Sequence, residues 1–84
     1  MENLELFFRF YPSENSMGHN ALVRVQEVEE EVKLTRASVF LSFDQTPPKF
    51  LWHESSFSYG EEEYLELRIQ NEAERILDKF TRSA

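Results

Sequence analysis

The segment 58–80, SYGEEEYLELRIQNEAERILDKF, carries two competing periodicities. Asn71 and Glu74 have the spacing of a capping box, in which the cap side chain takes an orphan backbone N–H and the glutamate reaches back. Ala73, Ile76, Leu77 and Phe80 then form one apolar helical stripe. Just upstream, Leu65, Leu67 and Ile69 alternate with Glu66, Arg68 and Gln70, the period of a half-buried strand. Ser58 and Glu61 nevertheless make a second capping box, and the acids at 61–63 suit a helix N-terminus. On that reading Leu65, Ile69, Ala73, Ile76 and Phe80 share one continuous helical face. The long helix leaves Leu67 outside its apolar face, whereas a strand followed by a short helix uses every apolar residue. A strand over 65–70 and a helix from Asn71 are therefore expected.

Working outward, LELFFRFY at 4–11 is rich in strand formers, with Leu4, Leu6, Phe8 and Phe10 on one parity and Phe7 and Arg9 on the other. A polar loop follows, marked by Pro12, Asn15 and Gly18. Between Asn20 and Asp44 there is neither glycine nor proline. Val23, Val25, Val28 and Val32 disfavour a helix there, because β-branched side chains lose χ1 freedom in one. As strands, this region has apolar residues at even positions (Val32, Leu34) and then at odd ones (Val39, Leu41, Phe43), so a bulge or break is expected at 36–38. Pro47 and Pro48 end that run, and 49–58 reads as one more strand, with Phe50 and Trp52 on one parity.

Eighty-four residues make one domain with a thin core, since a domain of this size buries only about 60 per cent of its unfolded surface. Eight phenylalanines, three tyrosines and one tryptophan supply large buried area per residue, so the chain is expected to fold. With no cysteine there is no disulfide framework and no thiolate metal site, which suits a reducing compartment, and the cytoplasm is expected. The N-terminal run has an acidic start and charges at Glu5 and Arg9, so neither a signal peptide nor a membrane span is expected. Sixteen acidic against nine basic residues give a net charge of −7. That disfavours direct contact with nucleic acid or anionic lipid and favours a basic protein partner.

No constellation points to catalysis or to a cofactor. His19 and His53 stand apart, without the HExxH or similar spacing of a metal site. His53, Glu54 and Ser55 have the residue types of a hydrolase triad, but neighbours along a strand point to opposite faces. Gly18 and Gly60 are the only glycines, too few for a phosphate-cradling loop. The expectation is a non-enzymatic chain with no cofactor and no metal.

Two features remain as candidate partner-binding groups. One is acidic: Glu27, Glu29 and Glu31 would lie about 6.7 Å apart on one face of an extended strand, with Glu30 between them and Glu61, Glu62 and Glu63 elsewhere. Rows of this kind imitate phosphates, though duplex DNA carries a charge every ~3.4 Å on each strand, so the copy is sparse. The other is aromatic: Phe7, exposed beside Trp52, would make an apolar patch for a partner or a second copy of the chain. The fold expected is α+β, an antiparallel sheet of four or five strands in sequential order with the C-terminal helix across one face. Its core would be drawn from Leu6, Phe8 and Phe10; Val23 and Val25; Val39, Leu41 and Phe43; Leu65 and Ile69; and Ile76, Leu77 and Phe80. The function expected is a small acidic protein-binding module, engaging a protein partner of basic character or forming a homodimer. The alternative is an acidic inhibitor, a nucleic-acid mimic that fills the basic cleft of a DNA- or RNA-handling protein.

Overall fold

The computed structural model describes the backbone of residues 3–12, 19–43 and 47–82 and the side chains of 3–11, 20–43 and 47–79. The loop expected at 13–18, the side chain of His19 and that of Phe80 lie outside the described residues. Strands β1 (Leu4–Pro12), β2 (His19–Glu29), β3 (Val32–Ser42) and β4 (Lys49–Ser55) form one antiparallel sheet in sequential order, and helix α1 (Tyr59–Arg82) packs on one face. This is the expected α+β architecture with four strands.

Period-2 alternation sorts the side chains of the sheet. Leu4 on β1, Ala21, Val23 and Val25 on β2, and Ala37, Val39 and Leu41 on β3 are buried against Leu65, Ile69 and Ala73 of α1. Leu6, Phe8, Phe10, Phe43, Phe50 and Trp52 pack around them, half-buried. Each fully buried Leu, Ile or Val stabilises the fold by about 1.5–3 kcal/mol relative to exposure. No polar or charged side chain is buried among the described residues.

The expected break in β3 is a bulge at Arg36. Val25 pairs with Ala37 and Gln26 with Thr35, so Arg36 is the extra residue. It separates the buried odd positions from Val32 and Leu34, which stay 67% and 59% exposed. A second bulge, on β4, leaves His53 unpaired between Trp52, opposite Val39, and Glu54, opposite Ser38.

The segment 65–70 is helix, not strand, which corrects the expectation above. The helix begins at the Ser58 box: the Ser58 N–H donates to Glu61 Oε1 at 2.9 Å, and the Glu61 N–H donates to Ser58 Oγ at 3.3 Å. Glu61 and Glu62 in the first turn favour the positive end of the helix. Between 61 and 70 only Ile69 is β-branched; the others are mostly straight-chain residues that lose little freedom in a helix. Asn71 is therefore an exposed mid-helix residue and not a cap. The cost of the long helix is Leu67, left 65% exposed.

Two polar contacts tie the helix to the edges of the sheet. Trp52 Nε1 on β4 donates to Glu66 Oε2 at 2.9 Å, and Arg68 Nη2 donates to the Leu4 carbonyl of β1 at 3.2 Å. The second satisfies one backbone acceptor on an edge strand, where unpaired groups otherwise invite strand addition. Among the described residues the opposite face of the sheet carries no helix, and Phe7, Tyr11 and Leu51 on it are 43%, 40% and 51% exposed.

Candidate functional site

Strands β2 and β3 are the longest, and their hairpin runs on beyond β4, whose last pair is Ser55 with Ala37. The extension is closed by Glu30 and Glu31, between the paired residues Glu29 and Val32. Glu30 adopts a φ of 55°, the left-handed region that costs a side-chain-bearing residue about 1–2 kcal/mol. The turn also breaks the row foreseen for the acids. Glu27 and Glu29 share the side of β2 that carries Val23 and Val25, while Glu31 belongs to the loop and does not extend their line.

On that side the register alternates acids with aliphatics. Glu27 pairs with Leu34 and Glu29 with Val32, and both aliphatics are exposed because the hairpin projects past the part of the sheet that α1 covers. Arg36 joins this surface to the start of α1. Its guanidinium is ion-paired with Glu27, donates from Nε to Ser56 Oγ at 2.6 Å and lies 4.7 Å from the centre of the buried Phe57 ring. The Arg36 carbonyl accepts the Ser56 N–H at 3.0 Å, so the chain enters α1 beside the bulge.

The Glu61 carboxyl is held below its ordinary value of 4.5, chiefly by the Ser58 backbone N–H, then by the Ser58 hydroxyl, with the Arg36 charge adding a smaller effect. Glu27 and Glu61 thus both border Arg36, and the acidic hairpin and the helix start occupy the same end of the molecule. The three acids at 61–63 do not act as one row. Successive helical residues fan by about 100°, so Glu61 and Glu62 are half-buried toward the sheet while Glu63 is exposed on the far side of the helix.

The aromatic pair is not brought together. Trp52 lies on the helix-covered side of β4, half-buried and bonded to Glu66, whereas Phe7 is on the open face of β1, at the opposite edge of the sheet. Their parities and strand positions separate them, so the expected Phe7–Trp52 patch is corrected. Phe7 instead has Lys33 Nζ over its ring at 5.8 Å and shares a shallow hollow with Arg9, Leu22, Arg24 and Ser38.

Among the described residues, no group of three or more His, Cys, Asp or Glu side chains is arranged to hold a metal ion, and no helix is long and apolar enough to cross a membrane. Val32 and Leu34 were not picked out as site residues from the sequence. The signal for them was their even parity, on the far side of the break at Arg36 from the buried odd positions. No protein-family model matches the chain, and neither do any curated proteins or solved structures.

Proposed function

We propose that this chain is a non-enzymatic protein-binding module whose acidic end receives a basic, partly apolar segment of a partner protein. One observation carries the reading. The β2–β3 hairpin presents exposed Val32 and Leu34 directly across from Glu29 and Glu27, beside the capped start of α1. Exposed aliphatics are poorly placed in water, and carboxylates between them select a partner that supplies both methylenes and positive charge. The long stems and charged heads of lysine and arginine meet both demands. Among the described residues Arg36 takes up only Glu27 by ion pairing, and its stacking on Phe57 holds the hairpin against the helix start.

The nucleic-acid-mimic reading uses the same carboxylates but has no need of Val32 and Leu34, which separates the two by experiment. The test is affinity capture from the host lysate with three baits: the unaltered chain, Val32→Ser with Leu34→Ser, and Glu29→Lys with Glu31→Lys. A protein held by the unaltered chain and lost from both variants supports the proposal. A partner lost on charge reversal and in high salt, yet retained by the serine variant, favours the mimic, because exposed charges are screened beyond about 8–10 Å. A partner retained by both variants overturns the proposed surface.

A further inference from the structure

We propose that the open face of the sheet is a docking surface for the exposed side of α1 from a second copy of this chain, so that copies stack head to tail. The cross-strand register aligns Arg9, Leu22, Phe40 and Leu51 in one row across all four strands. Phe7 and Tyr11 flank the row on β1. An antiparallel sheet exposed to water normally turns polar residues outward; here three of the four in the central row are apolar.

The charge on this face is opposite to that of the molecule. Arg9, Arg24, Lys33 and Lys49 have the outward parity, with Glu5 and Glu54 as their counterpart, so four cations face two carboxylates on a chain of net charge −7. The complementary surface is the far side of α1. At about 100° per residue, Glu63, Tyr64, Leu67, Glu74 and Asp78 fall within one strip centred on Leu67, and among the residues whose side chains are described no lysine or arginine falls in it. Tyr64 and Leu67 are 57% and 65% exposed, and the fold itself gives them nothing to cover. The strip is about 23 Å long by helical rise, enough to span the open face. Helices on both faces of a sheet form a stable layered arrangement, and stacking supplies the missing layer.

The contact is heterologous, since one copy offers its sheet and the next its helix. The other side of α1 is already committed to its own sheet, so both surfaces are available in every copy. This inference involves neither Val32 nor Leu34 and does not rest on the acidic end.

Sedimentation across a wide range of protein concentration tests it, at low and at high salt, with two charge-reversed variants. One carries Arg9→Glu and Arg24→Glu, the other Glu63→Lys and Glu74→Lys; all four side chains are exposed, and circular dichroism checks that each variant folds. Unaltered chain should grow in mass with concentration at low salt and return toward monomer at high salt. Each variant alone should be monomeric, and mixing the two should restore association, because reversed faces complement one another. A chain that is monomeric throughout overturns the proposal, as does association that persists in the helix variant, which would mean sheet-to-sheet or edge pairing. A monomer that binds a single-stranded oligonucleotide and loses it with the sheet variant also overturns it, in favour of a nucleic-acid surface built on Phe7 and Tyr11.

Discussion

The Arg36 guanidinium lies 4.7 Å from the centre of the Phe57 ring, and the β-bulge puts it there. An extra residue at this point of β3 turns a charged side chain toward the helix side without displacing Ala37 from the core. Arg36→Ala removes the stacking, worth about 1 kcal/mol, a partly exposed ion pair of about 0.5 kcal/mol and a hydrogen bond of similar size. The expected loss is about 2 kcal/mol, seen as a melting temperature lower by roughly 10 °C. Arg36→Lys should recover less than half, because a lysine has no planar fork to stack on Phe57 while also reaching Glu27 and Ser56. Full recovery by lysine would reduce the role of Arg36 to its charge.

The capping box makes a contribution that depends on pH. The Glu61 carboxylate accepts from the Ser58 N–H, so its folded value lies below its unfolded one. A depressed carboxylate stabilises the folded chain fully above the unfolded value and progressively less as pH falls through the folded one. Stability curves for the unaltered chain and for Glu61→Gln should therefore differ near neutral pH and converge as the pH falls through the lowered folded value of Glu61. Ser58→Ala, which removes only the hydroxyl, should cost about 1 kcal/mol in denaturant unfolding near neutral pH. Curves for the glutamine variant that run parallel across this range would show that the box does not titrate.

The hairpin turn holds recoverable strain. Glu30 occupies the left-handed region with a side chain attached, between two further glutamates. Glu30→Gly should stabilise the fold by about 0.5–1 kcal/mol, since only glycine adopts that region at no steric cost. Glu30→Ala, which relieves the charge crowding but keeps the Cβ, separates the two causes. If alanine stabilises as much as glycine, repulsion and not backbone conformation is the source.

Patterns that depend on one strand's own alternation were legible in the sequence, and those that depend on where neighbouring elements stop were not. The parity change between Leu34 and Val39 called for a bulge or break within 36–38, because a strand cannot turn both sets inward without an extra residue, and the register puts it at Arg36. The row of Glu27, Glu29 and Glu31 failed on a turn with neither glycine nor asparagine to announce it. Phe7 and Trp52 were separated by topology: β1 and β4 are opposite edges of the sheet, and their parities point to opposite faces. The exposure of Val32 and Leu34 follows from α1 starting no farther out than the bulge, a matter of packing that alternation along β3 does not encode.

Leu65 and Leu67 give the sharpest measure of why 61–70 is helical. As neighbours on one face of a strand, the two would be equally buried, and truncating either would cost the same. In the helix they lie about 200° apart: Leu65 is fully buried with Ile69 and Ala73, while Leu67 faces outward. Leu65→Ala should then cost about 3 kcal/mol, the transfer energy of the lost methyls plus the cavity they leave. Leu67→Ala should fall within about 0.5 kcal/mol of the unaltered chain, as alanine's helix propensity offsets the little area lost. Unfolding in urea at protein concentrations low enough to exclude stacking measures both. Equal losses would return the segment to a strand, and the stability gap between the two leucines is what the capped helix obtains by leaving one of them in water.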